Sequence, residues 1–261
     1  MSVIGQRAQD ITRLPAMNKH GYVAQVSNAA DLDTDDYYVE FEANNGVSGA
    51  GSYEETVRPH NFDGSGSDPM LKGFNPATMP HALINNRNGT FTFAKLDEAT
   101  ANAANNDNYW KDRDVGDDVS NPFPTFTGHK IQQMFFHRNR LGFVSGENII
   151  LSQPGSYFNF FIVSAISFSD DNPIDITVSD VKPAFINHVL PIQKGLMMFS
   201  DNGQFLLFTE SDIFSPKTAR LKKVASYECD STIQPVDLGT SVLYTSNVSA
   251  YACLLYTSDA A

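Results

Sequence analysis

The chain has 261 residues, of which 41% are hydrophobic, 18% charged and 11% aromatic, enough to bury a sizeable core in one large all-β domain or in two smaller units. Its 30 acidic against 18 basic side chains give a formal charge of −12, which argues against a protein that grips nucleic acid through neutralised phosphates and suits ordinary solubility or a surface past which DNA slides. No apolar run reaches the roughly 18–20 residues of a membrane span, no basic-then-apolar signal layout opens the chain, and two cysteines, Cys229 and Cys253, form neither a disulfide framework nor a CxxC metal spacing.

In chain order, Gly21–Ser27, Tyr37–Ala43, Tyr53–Val57, His81–Ile84 and Thr90–Lys95 read as short strands. The alternation is clearest at Tyr37–Glu42, where Val39 and Phe41 share one face and Glu40 and Glu42 the other. Turn formers separate the runs at Asn44-Asn45-Gly46, Gly49-Ala50-Gly51, Asp63-Gly64-Ser65-Gly66 and Asn88-Gly89, and Arg87–Thr90 reads as a tight hairpin turn. Glu98–Asn106 is rich in Ala but also in Asn, which predicts a loop or one or two helical turns.

The proline-rich Asn121-Pro122-Phe123-Pro124 marks a boundary. Beyond it, residues 128–161 hold three short apolar runs closed by an aromatic cluster, the pattern of a β-meander. A strand–turn–strand unit then recurs, starting at Leu141, Leu196 and Val242. Periods near 40–50 residues are those of propeller blades, because one blade cannot bury both of its faces alone. The expected fold is therefore mainly β, with antiparallel meanders: a smaller β-rich domain over 1–125, then an incomplete β-propeller-like region over 126–252. A β-sandwich of hairpins is the structural alternative. The last nine residues, Cys253–Ala261, look like a translated transposon-type sequencing adapter and are set outside the fold.

Catalytic constellations are not assembled by the sequence. The acid pairs Asp35/Asp36, Glu54/Glu55, Asp117/Asp118 and Asp170/Asp171 point to opposite faces if they lie in strands and are solvated or capping if they lie in loops. Asp170–Asp175 offers several oxygens to a hard cation such as calcium but lacks the EF-hand spacing. Ser200-Asp201-Asn202-Gly203 is partly similar to an Asp-box turn, although a plain hairpin turn explains it. His129 and His137 flank a strand without a ligand partner. His137-Arg138-Asn139-Arg140 is a local basic cluster whose arginines either pair with carboxylates across a subunit contact or lie against Phe135 and Phe136, a structural role in preference to DNA contact. No catalytic, cofactor-binding or metal-binding residue is assigned.

Phe135-Phe136-His137-Arg138-Asn139-Arg140-Leu141-Gly142-Phe143-Val144-Ser145-Gly146-Glu147-Asn148 closely resembles the signature of the T7-like phage tail tubular protein B, or tail nozzle, family. The likeness continues in order through Gly5–Pro15, Asp36–Val39, Thr78–Leu83, Gly116–Asp118, Asn121–Pro124, Asp171–Asp175, Phe199–Asp201 with Gln204-Phe205, and Ser215–Lys217. It implies a non-enzymatic virion protein, made in the bacterial host cytoplasm, that forms a homo-oligomeric ring in a short tail and conducts the genome during ejection. Its implied partners are other tail proteins (tail tubular protein A and fibres) and phage DNA in passage, with no cofactor. The family's portion ahead of Gly5 and its C-terminal portion are missing, so the chain is expected to be an internal fragment. The rival expectation is a polysaccharide-binding or hydrolysing β-propeller, which needs acids converging at one end of its blades.

Overall fold

The computed structural model describes residues 6–27, 36–59, 62, 72–103, 106–239, 241–248 and 251–258. They fall into two compact units, Met1–Phe123 with Phe161–Ser169 and Pro124–Phe160 with Asp170–Ala261.

In the first unit, β1 (Arg7–Ala8), β2 (Met17–Lys19), β3 (Tyr22–Val26), β4 (Tyr37–Ala43) and β5 (Ser48–Thr56) form one sheet in the order β1-β3-β4-β5-β2. β1 runs parallel to β3, and the other pairs are antiparallel. The alternation read from Tyr37–Glu42 holds: Val39 and Phe41 are buried, while Glu42 is exposed on the opposite face. Leu14, Ala24, Val26, Tyr37 and Val39 make the core, with Ala165 packed against it. Glu55 fastens the returning segment, accepting from Ser164 Oγ and the Ala165 N–H, both at 2.7 Å. β6 (Ala82–Asn85) and β7 (Phe91–Ala94) form a separate hairpin, whose turn takes left-handed backbone at Arg87 (φ 60) and Gly89 (φ 86). A six-residue helix, α1 (Glu98–Ala103), follows, its Thr100 N–H capped by Asp97 Oδ1 at 2.7 Å. Short length and the following asparagines limit it to little more than a turn. The Asp63–Gly66 turn and Asp35 lie outside the described residues.

The second unit is a series of antiparallel meanders. β8 (Gln133–His137), β9 (Arg140–Ser145), β10 (Asn148–Leu151) and β11 (Ile174–Thr177) make the first. β12 (Ile186–Ile192), β13 (Gly195–Ser200), β14 (Gly203–Thr209) and β15 (Ala219–Ala225) make the second. β16 (Val236–Asp237), β17 (Ser241–Val248) and β18 (Tyr251–Ser258) make a three-stranded third. Two of the recurring strand–turn–strand units of the sequence are the hairpins β9–β10 and β13–β14. The unit expected from Val242 differs: Thr245–Asn247, read as its turn, continue β17, and Cys253–Ser258, set outside the fold by their wording, form most of β18 and pair with Ser241–Ser246 because their alternating apolar residues extend the ladder.

The run Leu196-Met197-Met198-Phe199 has no polar face because the second meander is covered on both sides. Leu196, Met198, Phe205 and Leu207 share a core with Val144, Ile149, Leu151 and Ile174 of the first meander. Met197 and Phe199 turn the other way, onto Val242 and Tyr244 of the third. Each fully buried side chain of this size contributes about 1.5–3 kcal/mol. β12 also touches both β8 and β16, so the first strands of successive meanders lie side by side. An amide clasp joins two of them: Gln133 Nε2 donates to Val189 O at 2.9 Å, and the Val189 N–H donates to Gln133 Oε1 at 2.6 Å. Stacked meanders with adjacent first strands are compatible with propeller-blade packing.

Candidate functional site

The signature turn between β8 and β9 places Arg138 (φ 47) and Asn139 (φ 61) in left-handed backbone, the two-residue hairpin geometry that matches strand twist. Asn139 tolerates this conformation and is held there: Tyr157 Oη–H donates to its Oδ1 at 2.7 Å, and the Gly155 N–H to its carbonyl at 2.8 Å. The next residue, Arg140, points inward and is only 2% exposed. Its Nη1 donates to Ser152 O and Asn172 O, both at 2.8 Å, and its Nη2 to Asp170 O at 3.1 Å and Phe214 O at 3.3 Å. Burial pulls the guanidinium's pKa down, and Asp171 opposes that shift. One cation thus ties the β9 edge of the hairpin to both ends of the β10–β11 connection and to the β14–β15 connection.

This geometry revises the sequence reading of the arginines. Arg140 binds backbone carbonyls within its own unit, and Arg138 lies over the ring of Phe214, 5.7 Å from its centroid. Phe135 has a different neighbour. It faces Gly142 across the strands, where a β-carbon would come 2.3 Å from Phe135 Cζ, so the glycine of Leu141-Gly142-Phe143 leaves room for that ring. The spacing between the two residues reflects this cross-strand fit.

The oxygen-rich Asp170–Asp175 stretch is the counterpart of Arg140. Carbonyls of Asp170 and Asn172 solvate the guanidinium, while the Asp175 carboxylate accepts from the Thr125 N–H at 2.8 Å and Thr125 Oγ1 at 2.7 Å. Burial pushes the Asp175 carboxyl up from its usual range. The remaining acids are dispersed. Asp117 Oδ1 caps a turn, accepting from the N–H groups of Val119 and Ser120 at 3.0 Å, and Asp118 lies 2.8 Å from Nη2 of the buried Arg113. Arg113 in turn lies over the Phe123 ring, 4.7 Å from its centroid. Ser200–Gly203 is a hairpin turn closed by Ser200 Oγ on Gly203 O at 2.9 Å. His129 sits in the turn before β8, whereas His137 ends that strand half-buried; burial and, secondarily, Arg138 push the His137 ring down to about 4. Among the described residues no group of three His, Cys, Asp or Glu side chains could hold a metal ion.

Two surface features escaped the sequence reading. Register places Glu40 directly opposite Glu54, with Glu42 on the same face, an arrangement of like charges that destabilises a sheet. The edge strand β15 carries Arg220, Lys222 and Lys223, the last paired with Asp180. Charged side chains at such an edge discourage pairing with other chains. Lys217–Lys223 held the signal for the basic edge, but the Glu pair required the register.

These features define a mainly β protein of antiparallel meanders whose signature cations serve packing. The chain belongs to the bacteriophage nozzle protein family, whose model matches residues 1–259. It is 33% identical over 247 residues to tail tubular protein gp12 of Escherichia phage T7, an alignment that takes in 95% of this chain and 28% of that protein. The chain therefore spans well under half the length of the curated relative it matches.

Proposed function

We propose that this chain is a wall segment of a phage tail nozzle, a non-enzymatic part of the virion conduit through which the genome is ejected. In the full-length protein it works within a homo-oligomeric ring alongside other tail proteins, and DNA passes without being specifically bound. The observation that carries the reading is the disposition of charge. Arg140 and Arg113 are held inside the fold, while Glu40, Glu42 and Glu54 share one face of the first sheet in a chain of net charge −12. A wall of this kind leaves the counterions of DNA in place and gives passing phosphates no purchase.

The test is a phage carrying Glu40→Lys, Glu42→Lys and Glu54→Lys in its nozzle gene, assayed for ejection in vitro. Slower ejection that recovers with added salt is expected, and unchanged kinetics would remove the acidic-wall reading. We also propose that Cys253–Ala261 is adapter translation. Resequencing the source locus through Tyr251 should give a different continuation, and an unchanged one would refute this.

A further inference from the structure

The tip of the β6–β7 hairpin sets an asparagine against its own backbone. The sequence holds three Asn-Gly pairs, Asn45-Gly46, Asn88-Gly89 and Asn202-Gly203. In such a pair the glycine nitrogen can close on the asparagine Cγ, because glycine has no β-carbon to hinder the approach. The fold separates the three. Asn202 is engaged through Nδ2, which donates to Pro183 O at 2.8 Å, and Gly203 is buried where a β-carbon would come 2.8 Å from Ala225 O. At Asn45 the nucleophile is engaged, since the Gly46 N–H donates to Ala43 O at 2.9 Å. Asn88 and Gly89 are both exposed, the Gly89 N–H meets no acceptor among the described residues, and a β-carbon on Gly89 would meet open space.

The electrophile at this tip is activated. Thr90 donates twice to Asn88 Oδ1, from its N–H at 3.0 Å and from its Oγ1–H at 2.6 Å. A backbone N–H only donates, which fixes the atom it meets as the oxygen. Asn86 Nδ2 donates to Thr90 Oγ1 at 3.0 Å and to Thr92 Oγ1 at 2.9 Å, leaving the Thr90 hydroxyl proton directed at Asn88. Two donors therefore converge on the oxygen that turns negative when Cγ is attacked, as in an oxyanion hole. Asn45 Oδ1 also accepts twice, from the Val47 and Ser48 N–H groups at 2.9 Å, so those two sites differ chiefly at the nucleophile.

We propose that Asn88 is a self-modifying site, at which the Gly89 nitrogen and then water convert the side-chain amide to an aspartyl or isoaspartyl link. The bond from Gly89 N to Asn88 Cγ forms, the Gly89 proton passes through solvent to Nδ2, and the Cγ–Nδ2 bond breaks to release ammonia and leave a succinimide. Water adds to either ring carbonyl and opens the ring. No oxidant, reductant or cofactor takes part. The product places a negative charge next to Arg87, on a hairpin whose Leu83, Phe91 and Phe93 are exposed on one face. None of this rests on the nozzle reading.

The experiment is incubation of the 261-residue chain at neutral pH, folded and in urea, with peptide mapping by mass spectrometry and isoaspartyl-specific methylation at each time point. In the folded chain Asn88 is expected to convert about 10-fold or more faster than Asn45 and Asn202, and in urea the three should converge. Thr90→Val keeps the N–H donor and removes the hydroxyl; it should slow Asn88 about 10-fold in the folded chain and leave its rate in urea unchanged, with water replacing part of the lost donor. Thr90→Ser should restore the parental rate. Circular dichroism and unchanged conversion at Asn45 show that the variants fold. Asn88 converting no faster than Asn45 in the folded parent overturns the proposal, a result that needs no variant. An unchanged Asn88 rate in folded Thr90→Val overturns it as well.

Discussion

Replacing Arg140 by Met keeps most of the side-chain volume and removes every donor. Four buried or part-buried carbonyls would lose their partner, two of them at 2.8 Å and the others at 3.1 and 3.3 Å. Hydrogen bonds to a charged group contribute about 1.5–3 kcal/mol each, and a buried acceptor left unpaired costs about 1–3 kcal/mol. Relief from burying a cation offsets part of this loss, and water can reach the part-buried Asp170 carbonyl. Counting the two short bonds in full and the longer pair as one, a net loss of about 3–5 kcal/mol follows, in the range for breaking a buried ionic contact. For a unit of this size that is a fall of roughly 8–15 °C in Tm. Arg140→Lys should recover less than half, because a single ammonium cannot span the four carbonyls. The assay is urea unfolding followed by circular dichroism, with hydrogen exchange in β8–β11 locating the loss. Trp110, the chain's single tryptophan, lies in the first unit, and its fluorescence serves as an internal reference. Arg140→Met within about 1 kcal/mol of the parent would refute the view that this cation organises the signature turn.

Gly142→Ala should destabilise the second unit by about 1–3 kcal/mol through its clash with Phe135, and pairing it with Phe135→Leu should return part of that loss; additive losses would count against the fit. His137, pushed down to about 4 by burial, takes up its proton less readily folded than unfolded, where a histidine titrates near 6.5. Its contribution to stability is complete above that unfolded value and falls away as pH drops from about 6.5 to about 4. His137→Gln should flatten this part of the stability–pH curve, and an unchanged difference from the parent across the window would reject the assignment. Glu54→Lys converts a like-charge cross-strand pair into an attractive one and should stabilise the first unit by about 0.2–1 kcal/mol at low salt. Trp110 fluorescence in urea measures it, and no gain at low salt would contradict the pairing.

Much of the fold could be read from local pattern, because alternation and turn chemistry act over a few residues. Tyr37–Ala43 displays its two faces directly, and Asn88-Gly89 and Asn202-Gly203 announce their turns. The family signature was legible as wording before its mechanics were. That Arg140 is buried could not be seen locally, since its acceptors come from Ser152, Asp170, Asn172 and Phe214, up to 74 residues away. A charged residue beside a polar turn is ordinarily solvated, and only the convergence of the β10–β11 and β14–β15 connections reverses that. The Leu196–Phe199 run posed a related difficulty: an unbroken apolar strand states that both faces are covered, without saying by what.

The Gln133 clasp has a mechanical consequence. A strand peeled from the end of a ladder gives up its bonds one after another, each taking the whole load in turn. The two bonds between Gln133 and Val189 sit at one point and run in opposite donor sense, so a pull that separates the first two meanders strains both together. They share the force and yield at a higher threshold than either alone.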